Sequence, residues 1–308
     1  MSRFNFILRR LLVTVPMVLV VVALTWALIR LAPGSFYEGE RKLPPTIEKN
    51  IRARYGLDQP WYVQYGKVMG NILRLDFGNS LRYENETVNE ILRRTVPVSA
   101  ALGTCAYLLA LVVGITLGTV AALRQNSKID YGAMTLTMLG ISFPNFVLGP
   151  ILVLVFALSL YWLPPARWGG FPSRSLILPV LTLSFIYMAY IARLTRAGML
   201  EVLRSDYIRT ARAKGLTEAQ VVWRHAMRGG LLPVVSFTGP ALALLISGTV
   251  VVERIFAMPG LGNYFINANL NRDEPLILGI VAFTSMTVLI FNLLVDVAYA
   301  YIDPRIRY

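Results

Sequence analysis

The run 11-LLVTVPMVLVVVALTWALI-29 holds no charged side chain over 19 consecutive positions, close to the ~20 apolar residues that a helix needs to cross the hydrocarbon core of a bilayer. Arg3, Arg9 and Arg10 precede it, and 30-RLAPGSF-36 follows without an A-x-A-like cleavage pattern. A run this long, with no such site after it, is expected to be a retained span and not a removable leader. The rest of the chain is then to be read in the same solvent.

Composition agrees. The 308 residues are 56% hydrophobic and only 15% charged, with a mean hydropathy of +0.57, far from an average soluble domain. The net charge of +13 points to a polyanion only in a soluble chain. In a membrane protein, Lys and Arg are expected to gather in cytoplasmic loops. The single cysteine, Cys105, sits in an apolar run and excludes an internal disulfide, a Cys-based redox motif and a Cys-based metal site.

Further spans are expected near 97-123, 131-162, 176-197, 231-252 and 276-301, six in all. Backbone polar groups in lipid must be paired within their own segment, so the fold class is an all-α membrane protein. Basic residues set its orientation: Arg3, Arg9 and Arg10, then Arg124 and Lys128 in 124-RQNSKID-130, the Arg-rich stretch after 208, and Arg305 and Arg307 in 303-DPRIRY-308. These four segments alternate as six spans with both termini cytoplasmic require. The segments 32-96, 163-175 and 253-275 fall on the other side. Within the first of them, 45-PTIEKNIRARYG-56 and 60-PWYVQYGKVMGNILRLDFG-78 each set Pro near a helix start and Gly at its end. Two short amphipathic helices follow, either a cap at the membrane interface with Trp61, Tyr62 and Tyr65 as interfacial aromatics, or a docking surface.

Inside the spans, Ala106, Ala110, Gly114, Gly118 and Ala122 recur every four residues, which makes one helix face small enough for another backbone to approach. The spacing leaves open whether that partner belongs to this subunit or to a second one. In 142-SFPN-145 the proline lacks a donor, and a kink is expected there. The second and third spans hold no ionisable residue, unlike a proton-coupled carrier, while Arg193, Arg196 and Asp296 lie toward cytoplasmic ends. No G-x-x-x-x-G-K-[ST] occurs, so ATP is not held by a phosphate loop of this chain. No residue is singled out as catalytic and no metal site is expected.

The stretch 208-IRTARAKGLTEAQVVWRHAMRGGLLP-233 is cationic and helical in two halves. Gly215 is suited to the left-handed conformation that ends a helix at Lys214, and 217-TEAQ-220 reads as a capping box that starts the next. Such a pair, held between two span ends, faces anionic headgroups that repel nucleic acid, so no nucleic-acid partner is expected. It suits a groove in a cytoplasmic protein instead. His225, the only histidine, is read as structural or groove-contacting.

The run 209-RTARAKG-215 resembles the coupling loop of bacterial ABC-importer permeases, a Glu-Ala-Ala-x-x-x-Gly pattern on which Arg209, Thr210, Ala211 and Gly215 fall, with Arg and Thr in its first two places. Across the whole chain 30-RLAPGS-35, 39-GERKLPP-45, 54-RYGLDQP-60, 75-LDFGNS-80, 253-ERIFAMPGLG-262, 271-NRDEP-275 and 303-DPRIRY-308 resemble the B permease subunits of oligopeptide importers. The resemblance implies a six-helix type I importer permease of the bacterial inner membrane. Its implied organisation is 1-31 as N-terminal tip and first span, 32-96 as an extracytoplasmic segment, and 97-308 as a five-helix core with the coupling loop at 199-230. Implied partners are a homologous second permease forming a heterodimer, two cytoplasmic ATPase subunits that use ATP and Mg, an extracytoplasmic peptide-binding protein and membrane lipid. This chain itself binds no cofactor and is no enzyme. Arg209, Thr210, Ala211, Gly215, Thr217 and Glu218 would meet an ATPase, and Met258, Pro259, Gly260 and Gly262 would lie at the external mouth of the pathway. Dipeptides, nickel or glutathione are alternative cargoes, and a non-transporting scaffold or receptor subunit is the alternative of another class.

Overall fold

The computed structural model describes residues 3–32, 46, 49, 58–165 and 167–302, with the side chains of 3–11, 14 and 299–302 excepted. The expected helix at 45-56, apart from residues 46 and 49, and the motifs at 39-45 and 303-308 lie outside the described residues. Among the described residues the chain is helical, with no strand beyond one isolated bridge between Asn79 and Thr87.

Helix α1 (Arg3–Leu31) is followed by α2 (Trp61–Leu73), α3 (Val88–Leu123), α4 (Lys128–Ser142) and α5 (Asn145–Leu152), which continues as a wider π turn over Val153–Ser159. Then come α6 (Ile177–Leu203), α7 (Asp206–Ala213), and α8, which passes from Glu218–Gln220 through a π segment at Val221–Ala226 to Met227–Gly230. The chain closes with α9 (Leu232–Ile246), α10 (Val250–Ile255), α11 (Leu261–Leu270) and α12 (Glu274–Ile302).

Among the described residues four helices are long and apolar enough to cross a membrane: Val88–Leu123, Arg174–Leu203, Leu232–Ile255 and Glu274–Ala298. The pair α4–α5 passes jointly as one bent span, and Val15–Leu31 is a shorter apolar helix. Of the two amphipathic helices expected before the second span, the described one ends at Leu73, not at Gly78. Helix α3 begins at Val88, ahead of the expected 97, because Thr87 and Glu90 close a capping box: Glu90 N–H donates to Thr87 Oγ1 (3.2 Å) and Thr87 N–H to Glu90 Oε2 (2.9 Å). The kink expected at 142-145 is a full break of 102°. Phe143, which precedes a proline, leaves the helical region (ψ 112°), and Pro144 opens the next helix (ψ 141°).

The main core lies between α3, α6 and α9, with Leu102, Tyr107, Leu178, Ile191, Val234 and Leu245 buried in it. The small face of α3 is an internal seam. All five of its residues are buried. A Cβ added at Gly118 would stand 2.5 Å from the Ala192 carbonyl oxygen and 2.6 Å from Thr195 Cβ, and one at Gly114 2.9 Å from the Met188 carbonyl oxygen. The alternative left open by the spacing is thereby decided within this subunit: the partner backbone is α6. At the far end of the seam Ala122 joins Met199, Ile208, Ala211, Val221 and Ala226 in a separate cluster under α7 and α8. Helix α1 packs through Val22 and Trp26 on Leu278 and Ala282 of α12.

Candidate functional site

The α7–α8 pair forms as its residues dictate. Lys214 N–H donates to Thr210 O (3.0 Å) and Gly215 N–H to Arg212 O (2.9 Å), after which Gly215 turns the chain at φ +79°. That left-handed conformation is strained for any residue with a Cβ. The box at Thr217 then opens α8, with Thr217 N–H donating to Gln220 Oε1 (3.1 Å) and Gln220 N–H to Thr217 Oγ1 (3.4 Å). Arg212 spans the turn with two bonds to Glu218, Nε to Oε1 at 2.8 Å and Nη2 to Oε2 at 3.2 Å. This guanidinium holds the Glu218 carboxyl below the usual glutamate range.

Of the six residues predicted in this loop, Arg209, Thr210, Gly215, Thr217 and Glu218 are exposed. Ala211 is not: it is 5% exposed and packs inward with Ile208 and Val221. Its small side chain lets α7 lie close on α8. The outward face adds Tyr207 and Trp223, the latter 72% exposed. Neither was distinguishable in sequence from the buried aromatics of the spans. The pair is continuous with the bundle on both sides. Ser205 alone separates Arg204, the last cap of α6, from α7, and Leu231 N–H donates to Met227 O (3.1 Å) while Val235 N–H donates to Leu231 O (3.0 Å) across the α8–α9 junction.

At this same end of the bundle, Arg196 of α6 grips Asp130 with Nε to Oδ1 and Nη2 to Oδ2, both at 2.7 Å. Asp130 also accepts from Asn126 N–H (2.9 Å). The loop 124–130 is thereby bound to α6.

At the opposite end, the loop 257–262 folds over a buried carboxylate that sequence reasoning did not pick out. Glu253, 0% exposed, accepts from Ser99 Oγ (2.7 Å), Gly262 N–H (2.9 Å) and Thr249 N–H (3.3 Å). Ser99 Oγ in turn accepts from Leu261 N–H (2.8 Å). Gly260 lies directly against the Glu253 carboxyl, leaving no room for a side chain. Of the four residues predicted at this loop only Pro259 is exposed, while Met258, Gly260 and Gly262 are buried, Met258 in the main core. A second buried carboxylate, Asp273, accepts from Ser80 Oγ, Leu81 N–H (3.1 Å), Arg82 N–H (3.2 Å) and, as the cap of α12, Leu276 N–H (3.3 Å). The two carboxylates fix the loops at this end through hydrogen bonds to hydroxyls and backbone amides. No cluster of His, Cys, Asp and Glu among the described residues is placed to hold a metal ion.

Residues 114–308 match the model of the family described as binding-protein-dependent transport system inner membrane component. The chain is 45% identical over 304 residues to the oligopeptide transport system permease protein OppB of Haemophilus influenzae, and 46% identical to that of Salmonella typhimurium, with 99% of each chain covered in both cases. It is 41% identical to the dipeptide transport system permease protein DppB of Bacillus subtilis, with 98% of each covered. Among solved structures it resembles the inward-facing MetNI methionine ABC transporter, at 16% identity and a TM-score of 0.54, over 69% of this chain and 96% of that one. An amino acid ABC transporter gives a TM-score of 0.52. The latter two show the fold, an importer-permease bundle. With its several apolar helices, and with sequence similarity that runs essentially end to end, this multi-pass membrane protein belongs to the binding-protein-dependent transport system inner membrane components, among the peptide permeases of the B type.

Proposed function

We propose that this chain is one of two permease subunits in an ATP-driven importer of oligopeptides in a bacterial inner membrane. The observation that carries the proposal is 45–46% identity to oligopeptide permeases over 99% of the chain, and the 41% figure for the dipeptide permease favours the longer cargo. In this reading the chain has six spans with both termini and the α7–α8 pair in the cytoplasm, and the Glu253 end faces outward. The alternation of basic loops supports it, as does the placement of the 124–130 loop and the α7–α8 pair at one end of the bundle. A homologous permease, two ATPases that use ATP and Mg, and an extracytoplasmic peptide-binding protein complete the assembly.

The chain moves but makes and breaks no covalent bond. Closure of the ATPases on ATP would displace α7 and α8, whose exposed residues Arg209, Thr210, Thr217 and Glu218 are offered to them. The buried cluster of Ile208, Ala211, Val221 and Ala226 ties the pair to Ala122 of α3 and Met199 of α6, so a push on it tilts helices and does not merely bend a loop. Tight packing favours such discrete arrangements over continuous deformation. The nucleotide shifts the balance only through contacts that differ between the two arrangements.

The test is reconstitution of the four-chain transporter with its binding protein in proteoliposomes, with ATP inside. ATP-dependent uptake of a labelled tetrapeptide is expected. Purification of this chain with no ATPase attached, or peptide uptake unchanged by its deletion, would leave the scaffold alternative standing instead.

A further inference from the structure

The outer faces of the spans differ sharply in character. On α3 the exposed face presents Leu108 and Val112, on α4 and α5 Leu136 and Leu154, and on α12 Ile290 and Leu294, all suited to lipid tails. Helix α6 is different. From Leu178 to Ala189 it exposes no residue, and then a stripe opens at Tyr190, Arg193 and Ala197, spaced three and four apart on one face. Arg193 stands about 24 Å along the helix from Ile177, at 1.5 Å per residue, inside the apolar stretch Arg174–Leu203 and one turn before the Arg196–Asp130 pair at the α7–α8 end of the bundle.

Arg193 has no hydrogen-bond or ion-pair partner among the described residues. One turn on, Arg196 is fully engaged by Asp130. An unpaired guanidinium facing lipid tails is strongly disfavoured, and intramembrane charges face a bundle interior or a water-filled route. The stripe also continues an aromatic ladder through three helices. The Tyr107 ring (α3) lies 6.3 Å from that of Tyr187 (α6), Tyr187 lies 6.2 Å from Phe237 (α9), and Phe237 lies 5.8 Å from Tyr190. The ladder fixes the height and direction of Tyr190, 41% exposed at its end. A rigid aromatic surface therefore sits one turn from an open cationic fork.

We propose that the Tyr190–Arg193 stripe lines the translocation route, and that Arg193 is a transient site for the α-carboxylate of the passing peptide. This rests on the peptide-import reading above and names the group of the cargo that the chain recognises. The α-carboxylate is the one anion every unmodified peptide carries, and a guanidinium binds it with two parallel bonds. Side chains of any sequence can slide on the Tyr190 ring, so the site is selective for the peptide terminus and tolerant of sequence.

The test uses the complete reconstituted transporter. In a Cys105→Ala background, Arg193→Cys is expected to react with an anionic, membrane-impermeant methanethiosulfonate, and more slowly while tetraalanine is being transported. Val112→Cys, on the lipid-suited face of α3, is expected to stay unreactive. Separately, uptake of tetraalanine and of its C-terminal amide is compared at saturating binding protein. Loss of one charge-assisted pair corresponds to about tenfold, so Arg193→Gln should lower the acid-to-amide ratio by about that factor and Arg193→Lys should restore part of it. A cysteine at 193 as unreactive as the one at 112 would overturn the proposal and assign the stripe to lipid. A reactive cysteine with an unchanged acid-to-amide ratio in Arg193→Gln would overturn it too, and point to a carboxylate of the second permease. Failure of the wild-type complex to take up either peptide would refute the import reading, with the stripe still judged by the thiol reaction.

Discussion

Arg196 and Asp130, 66 residues apart, meet through two bonds of 2.7 Å, and the carboxylate side chain is only 2% exposed. The pair joins the start of α4 to α6 beside the loop 124–130. Asp130→Asn would leave the guanidinium half-enclosed with a weaker partner, at a cost of about 1 to 3 kcal/mol. Thermal unfolding of the purified subunit should fall for Asp130→Asn and for Arg196→Gln, and the double variant should lose clearly less than the sum. Strict additivity would show that the two do not depend on each other.

The seam gives a second expectation. Leucine at Gly118 or Gly114 meets the α6 backbone, and overpacking of this kind costs about 1 to 3 kcal/mol or more. The isolated subunit should lose thermal stability, because the seam is internal, while Val112→Leu on the exposed face should not. A stable isolated subunit with a defect only in assembly would place the seam between subunits.

Gly215→Val forces a β-branched residue into φ +79°, a strain of about 1 to 2 kcal/mol. Uptake per assembled complex should collapse while ATP hydrolysis loses its stimulation by peptide, with membrane abundance unchanged. Normal uptake would mean that the turn does not transmit motion.

The Ser99–Glu253 clasp holds α11 against α3. Ser99→Ala removes the donor to Glu253 and the acceptor for Leu261 N–H, a loss of about 1 to 3 kcal/mol for buried groups left unpaired. Amide exchange at 260–263 should accelerate while exchange in the α7–α8 pair stays as it was. Uniform acceleration would indicate general loosening, and no change would dismiss the clasp.

The Arg212–Glu218 bridge carries a pH dependence of known sign. Its carboxyl is held below the ordinary value, so its contribution is present above the ordinary glutamate range and is lost as pH falls through the lowered folded value. Both partners are largely exposed, so the effect is small and screened by salt. Amide protection factors in the 212–220 turn, with the intrinsic pH dependence of exchange divided out, should fall on acidification in wild type and show a flatter pH dependence in Arg212→Gln. Equal pH dependence in the two would remove the bridge from the account.

Local rules made several features legible in the sequence. Apolar run length gave the membrane class and helix type, because lipid leaves the backbone no other way to pair its polar groups. The Gly215 turn and the Thr217 box depend on residues within a few positions of each other, and the structure has both. The break near Pro144 was legible in kind but not in size, since a proline excludes helix for its neighbour and says nothing of what the freed segment packs against. Gly149 resting on Ile255 and Phe256 decides that.

What only the tertiary structure decided are the pairings between distant positions. The five small residues of α3 announced a close approach in sequence, but only the fold names α6 as what approaches. Ala211 looked like a contact residue and is instead the floor of the helical pair, because burial is a property of the neighbours and not of the residue. Glu253 stood in the sequence only as the first residue of 253-ERIFAMPGLG-262, and the fold closes Ser99, 154 residues away, and the amides of Thr249 and Gly262 around it. The chain alone thus determined that its long apolar segments are helices and where the Gly215 turn falls, because those choices are made by nearest-neighbour sterics and by solvent. Which faces touch, and which charge is left open at Arg193, follow from packing among helices whose residues the sequence does not bring together.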